Sequence, residues 1–296
     1  MQIVKNYRED AALRASFNAL AEATFDGLNF ETWFQNGHWT DSYRPYSVVE
    51  EGRVIANVSV NDTPMRVNGK TYRLFQLGTV MTAPEYRNRG LSRLLMQEIE
   101  KDFGPAADGF YLFGHTGVLN FYPKFGFAAL GGETVYSRPL PAADTAADWV
   151  QVPMNTPENH AKLWAAMQSN RFCGGFDMVN NPGLVMFYAG QFLTDCVWYS
   201  RAMDAWVIAE PDEAILNLQA VFSPDPILAL DQVTAALGGL CPGCTTLTLG
   251  FTPADPAGWT PDLVAEPDTT LMAKGRFFEQ GGFDPACHRL PALAHA

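Results

Sequence analysis

The chain has 296 residues, 47% of them apolar, with a formal net charge of −12 and five cysteines. That length exceeds what one compact core usually organises, so two domains are expected. No apolar run approaches the roughly 20 residues of a membrane helix, no basic stripe of a nucleic-acid binder is present, and the start Met1-Gln2-Ile3-Val4-Lys5 lacks a secretory leader's apolar core. The expectation is a cytoplasmic protein, monomer or homodimer, with neither nucleic-acid nor membrane partners.

A first helix is predicted after Glu9-Asp10, where Leu13, Phe17, Leu20, Ala21 and Thr24 share one face. An aromatic stretch from Phe25 to Tyr46 follows and carries Asp26, Glu31 and Asp41. Strands are predicted at 47–50, 54–67 and 72–82. Asn68-Gly69 gives a hairpin signal between the last two, because both turn positions favour positive φ. A helix over 91–103 buries Leu91, Leu94, Leu95, Ile99 and Phe103. A strand at 110–113, a short helix at 118–124 and a closing strand over 128–138 complete the first half. The element order reads β-α-(α)-β-β-β-α-β-α-β.

Pro139 to Asp148, rich in Pro, Ala and Asp, reads as a linker. The predicted domains are 1–140 and 146–296, with the boundary near 145. In the second half, helices are predicted at 157–169, after Asn181-Pro182, and at 226–237. Strands are predicted at 196–201, 205–209, 214–222, 245–251 and 269–274. Their order echoes residues 47–113, so the second half reads as a weak repeat of the first. Cys241-Pro242-Gly243-Cys244 is a single CxxC. Structural zinc needs four ligands, and only Cys287-His288 could complete a set on paper. The pair is therefore read as reduced thiols in a helix-to-strand turn, without a metal.

The chemistry concentrates in two segments. In the first, strand end Gly78 to Thr82 runs into the polar loop Arg87-Asn88-Arg89-Gly90-Leu91-Ser92 at a helix start. Successive backbone N–H groups in such a loop form an anion nest, and the helix N-terminus adds about half a positive charge. Together they suit a pyrophosphate. The loop is neither a Walker A nor a Rossmann sequence. The second segment is Gly114 to Phe127, ending Tyr122-Pro123-Lys124-Phe125-Gly126-Phe127.

With both segments in order, the chain resembles the GNAT (Gcn5-related) N-acetyltransferase superfamily over residues 1 to about 138. Its acetyl-CoA loop, Arg/Gln-x-x-Gly-x-Gly/Ala, stands here as Arg87 to Ser92, with serine at the last position. Its Tyr-x-Lys-x-Gly-Phe signature stands intact at 122–127. His115 occupies a position where the family often has asparagine. The resemblance implies an α/β mixed-sheet acyl-CoA N-acyltransferase fold and direct acetyl transfer from acetyl-CoA to a primary amine. It places the cofactor against Val80, Met81, Thr82, Arg87, Asn88, Arg89, Gly90, Leu91, Ser92, Asn120 and Tyr122. Tyr122 is the candidate acid. The base stays open between His115, Glu22, Asp26, Glu85, a water chain and the Ala296 carboxylate. Asp26, Trp33 and Phe34 are the candidate acceptor wall, and carboxylates beside aromatics suit a small organic cation. The second half lacks both motifs and reads as a degenerate GNAT-like domain, similar to the arrangement in Eis-type enzymes. A non-catalytic acyl-CoA sensor is the rival reading.

Overall fold

Residues 1–142 and 148–295 are described by a computed structural model. The boundary expected near 145 and the carboxylate of Ala296 lie outside the described residues.

The first half contains β1 (Gln2–Lys5), α1 (Ala11–Thr24), α2 (Glu31–Gln35), β2 (Tyr43–Glu50), β3 (Arg53–Asp62), β4 (Met65–Val67), β5 (Lys70–Tyr72), β6 (Leu74–Thr82), α3 (Leu91–Phe103), β7 (Gly109–His115), β8 (Ala128–Gly131) and β9 (Glu133–Pro139). The second contains β10 (Trp149–Gln151), α4 (Pro157–Ser169), β11 (Phe176–Met178), α5 (Pro182–Gln191), β12 (Val197–Ser200), β13 (Ala205–Asp212), β14 (Ile215–Phe222), α6 (Leu230–Ala235), β15 (Thr246–Leu249), β16 (Thr260–Val264), β17 (Thr269–Lys274) and α7 (Arg276–Glu279). Asp10 caps α1 by accepting N–H bonds from Ala12 and Leu13, as its place before the apolar face requires.

Two seven-stranded sheets result, ordered β1-β2-β3-β6-β7-β17-β8 and β10-β12-β13-β14-β15-β9-β16. Position by position they match. Each has one parallel pair, β6 with β7 and β14 with β15, and every other pairing is antiparallel. The echo between halves is therefore a full topological repeat. The sixth position of each sheet comes from the other half: β17 completes the first sheet and β9 the second. The predicted closing strand over 128–138 is thus two strands. It breaks at Gly131-Gly132, so that β8 stays in the first sheet and β9 crosses to the second.

Other boundaries also shift. The predicted strand 54–67 breaks at Thr63-Pro64, since proline cannot donate to a ladder. The Asn68-Gly69 turn forms, with φ of 50° and 77°, but it joins β4 to β5 in a separate three-stranded arm with β11. The predicted helix over 118–124 is two 3₁₀ turns, Thr116–Val118 and Tyr122–Phe125. Cys241 and Cys244 lie in the expected turn but are paired as a disulfide rather than reduced.

The first sheet is covered on both faces. Ala56, Val58 and Val60 of β3 pack with Leu91, Leu95 and Ile99 of α3. On the other face, Val54 and Met81 join Phe17 and Leu20 of α1 and Phe187 of α5 in an aromatic-rich core. That second core ties the halves together.

Candidate active site

The slot at the centre of the first sheet follows from how two strands part. β6 pairs with β7 only over Leu74–Gln76 against Gly109–Tyr111. Beyond that point β7 keeps β17 on its far side as far as His115, and β6 keeps β3 as far as Thr82. A bulge in β6 assists the parting. Met81 faces Asn57 and Gly78 faces Ser59, so β6 carries one extra residue, and Thr79 within the bulge has φ of 49°. Bulges bend a strand away from its neighbour. The edge of β6 from Leu77 to Thr82, including Val80, Met81 and Thr82, is left without a strand partner on the β7 side.

The loop at the mouth of this slot is built for an anion. Asn88 and Gly90 both have positive φ, 61° and 77°, and Gly90 is the N-cap of α3 with no side chain capping the helix. The first-turn N–H groups at Leu91, Ser92 and Arg93 have no helical acceptor. Ser92 Oγ lies 3.2 Å from Thr82 Oγ1, which ties the helix start to the strand end. The two arginines are used differently. Arg87 Nε donates to Thr82 O at 3.3 Å and stays exposed beside the loop. Arg89 turns away, donating to Glu85 O at 2.9 Å with its guanidinium over the Tyr86 ring.

Tyr122 lies at the other wall. A Cβ on Gly114 would stand 3.1 Å from Tyr122 Cε2, so the ring packs against the bare backbone of β7. Phe121 and Phe127 hold it from the sides. The ring is 5% exposed. Its hydroxyl has no hydrogen-bond partner among the described residues, and burial pushes it up to about 12. At neutral pH it is a protonated donor. Asn120 is exposed in the turn just before it.

His115, the first candidate base, lies at the rim. It ends β7 in an exposed position, and its Nδ1 accepts the Gly117 N–H at 3.1 Å. That bond ties the ring to the turn that follows β7. The weaker candidates are also engaged or remote. Glu85 pairs with Arg53 at 2.8 Å, Glu22 accepts from Asn29, and Asp26 sits in an exposed turn with φ of 49°.

The expected acceptor wall of Asp26, Trp33 and Phe34 is not assembled. Trp33 is 3% exposed and donates its indole N–H to Gly183 O at 2.8 Å. Phe34 carries the Arg14 guanidinium 3.7 Å from its ring centre, and Arg14 pairs with Glu31 at 2.8 Å. The protein's own arginine holds the place an organic cation would take, and the aromatics form core.

A different set, missed from the sequence, lines the face opposite α3. Asn57, Ser59 and Asn61 alternate with the apolar residues of β3 and are buried. Tyr7 Oη lies 2.6 Å from Ser47 Oγ, which donates to Asn57 Oδ1 at 2.9 Å. Asn57 Nδ2 donates to Thr79 O at 2.9 Å, and Tyr43 Oη lies 2.6 Å from Thr79 Oγ1. A polar stripe in a strand buried on both faces is costly unless satisfied. The alternation Asn57-x-Ser59-x-Asn61 in a strand with no solvent face was the available signal. The ladder ends at the bulge, where the slot opens.

A model of the GNAT acetyltransferase domain family matches residues 10–129. Residues 10–129 are a GNAT acetyltransferase domain. The GNAT domain is an acyltransferase domain, and both segments singled out above fall within it. Solved structures share the fold of nearly the whole chain. A probable N-acyltransferase from Enterococcus faecalis V583 has a TM-score of 0.61 and 14% identity, covering 95% of this chain and 74% of that one. Eis1 from Mycobacterium abscessus gives 0.58 and 14%, covering 92% and 73%. A GCN5-related N-acetyltransferase from Kribbella flavida gives 0.56 and 14%, covering 92% and 70%. Identities this low carry the fold alone. The curated proteins contain no match.

The GNAT domain's residues fit an acyl-CoA. The left-handed positions at Asn88 and Gly90 and the uncapped start of α3 suit a diphosphate, and the unpaired edge of β6 suits the amides of a pantetheine arm. No helix is long and apolar enough to cross a membrane among the described residues, and no cluster of metal-ligating side chains occurs among them.

Proposed function

We propose that the protein transfers an acetyl group from acetyl-CoA directly to the primary amine of a small molecule. The observation that carries this reading is the slot between β6 and β7, with the uncapped Gly90 loop at its mouth and a protonated tyrosine on its wall. Leu91 and Ser92 N–H groups would hold the diphosphate with Arg87, and the free edge at Val80 to Thr82 would orient the thioester. The neutral amine nitrogen bonds to the acetyl carbon as the carbon–sulfur bond breaks. Tyr122 gives its proton to the departing thiolate. The amine's proton leaves to water at the mouth of the slot. The carboxylate–aromatic cluster is core and does not supply the acceptor wall. The division at 140–146 into a catalytic and an accessory domain belongs to this proposal, with β9 and β17 exchanged between them.

The test is Tyr122→Phe. Thiol release from acetyl-CoA over an amine panel should fall about tenfold or more, the usual weight of a general acid, while acetyl-CoA still raises the melting temperature. Unchanged turnover removes Tyr122 from the mechanism. Thermal stabilisation by acetyl-CoA without turnover on any amine favours a binding module instead.

A further inference from the structure

The bulge in β6 puts a threonine where the backbone favours glycine. Register with β3 holds at Asn57–Met81 and again at Ser59–Gly78, so Val58 faces two residues, Thr79 and Val80. Thr79, the first of them, has φ of 49°. A bulge with its first residue in the left-handed region ordinarily carries glycine there. Any side chain crowds the backbone in that region, and a β-branched one crowds it most. Gly78 stands one residue earlier and does not take a positive φ.

Two buried side chains hold Thr79 in this conformation. Asn57 Nδ2 donates to Thr79 O at 2.9 Å, which fixes the peptide that follows the residue. Tyr43 Oη lies 2.6 Å from Thr79 Oγ1, which fixes its side chain. Neither holder is free to yield. Asn57 also donates to Ser59 Oγ at 2.9 Å and accepts from Ser47 Oγ at 2.9 Å. Turning its amide over would set Oδ1 against the Thr79 carbonyl, acceptor against acceptor. The Tyr43 ring is buried and stacked on Phe30, with centroids 5.6 Å apart. Thr79, Asn57 and Tyr43 are all buried, so breaking either bond strands a polar group away from water, which costs more than the bond itself contributes.

The consequence is read in the three residues that follow. Continued without the bulge, the register at Gly78 would set Val80 opposite Asn57 and Met81 opposite Ala56. Met81 would then leave the core it shares with Phe17 and Leu20 and turn to the α3 face, where Ala56 packs. The N–H and C=O groups of Val80 to Thr82 would turn with it, exchanging the slot side for the β3 side. The bulge therefore decides which backbone groups the free edge of β6 presents.

We propose that Tyr43 and Asn57 are positioning residues for the acyl donor. They hold Thr79 in the left-handed region, and the bulge locked in this way aims the backbone of Val80 to Thr82 at the pantetheine arm. Both act through Thr79 rather than by contact with the donor. The inference rests on the acyl-CoA reading of the slot.

The test separates backbone conformation at 79 from stability, by calorimetry with acetyl-CoA and by melting without ligand, on the full chain. Tyr43→Phe removes one hold and should weaken acetyl-CoA about tenfold, as it would if the locked form fell to about a tenth of the molecules. Glycine takes the left-handed region without strain, so adding Thr79→Gly should return the affinity to within about threefold of wild type. Adding Thr79→Val instead leaves no hydroxyl unpaired, so the melting temperature should not fall further. Acetyl-CoA binding should nonetheless stay about tenfold weak or weaker. Asn57→Ala should lose affinity likewise, and Thr79→Gly should recover it there too. Affinities that follow the melting temperatures overturn this inference alone. So does glycine no better than valine at 79, where the wild type binds acetyl-CoA. A wild type that binds no acetyl-CoA overturns the acyl-CoA reading and this inference together.

Discussion

Gly114 and Tyr122 share one volume: the tyrosine ring occupies the space a side chain at 114 would fill, with a Cβ there only 3.1 Å from Cε2 and 3.3 Å from Cδ2. Contacts that short force the neighbour to move. The ring is buried among Leu112, Phe121 and Phe127 and has little room to give. Gly114→Ala should therefore displace the Tyr122 hydroxyl by a few tenths of an ångström. Because proton transfer depends steeply on position, kcat should fall about tenfold while the KM for acetyl-CoA changes little. Steady-state kinetics on one accepted amine decides it, and wild-type kcat in the alanine variant would mean that the ring's placement is immaterial.

Gly90 has φ of 77° and nothing within 4 Å of where a Cβ would stand. Space is therefore not the constraint there; backbone conformation is. A non-glycine residue in the left-handed region costs about 1–2 kcal/mol, so Gly90→Ala should lower the melting temperature slightly. It should also weaken acetyl-CoA by about tenfold as the N–H groups of Leu91 and Ser92 swing out of line. Gly90→Asn tolerates that conformation better and should recover most of the affinity. Equal losses for alanine and asparagine, measured by calorimetry, would point to crowding rather than conformation.

Local signals carried the loop and α3, because each depends on residues within one short segment. The Gly90 loop and the strand before it were both legible, whereas the bulge at Thr79 in that strand was not. The acceptor wall was misread because aromatic composition does not say which rings are core. Trp33 and Phe30 pack on Phe187, a contact across more than half the chain. The strand exchange was equally hidden. β9 carries ordinary alternation and β17 a short apolar run, and nothing within either says which sheet it completes. The buried ladder of Asn57, Ser59 and Asn61 was visible in principle, but only once β3 is known to be covered on both faces.

Exchange of β9 and β17 makes the halves depend on each other. β17 pairs with β7 over six positions, Thr269–Lys274 against His115–Phe110. Without it both β7 and β8 present open edges, which invite aggregation. A chain ending after Pro139 should be insoluble or molten, although the acetyl-transfer motifs lie wholly within it. The full chain should melt in a single transition whose calorimetric and van't Hoff enthalpies agree. Two separated transitions, or a soluble and acetyl-CoA-binding 1–139 fragment, would contradict this coupling.

Glu133 opens the exchanged strand β9, and its carboxylate accepts the Leu290 N–H at 2.7 Å. Burial pushes it up to about 7 despite the nearby Arg289 guanidinium. The sign follows from proton linkage. With the folded value above the unfolded one, the folded state binds more protons across the window from about 4.5 to about 7. This group's contribution is therefore most favourable below the unfolded value, declines as pH rises through the window, and is flat above it. Across that window the decline is at most about 1.4 kcal/mol for each pH unit. Glu133→Gln keeps an oxygen for Leu290 but cannot titrate. The difference in stability between variant and wild type should move in the variant's favour by roughly 1–3 kcal/mol between pH 5 and pH 8. Denaturant melts at the two pH values measure this directly, and a difference that does not change with pH would show that Glu133 is ionised throughout.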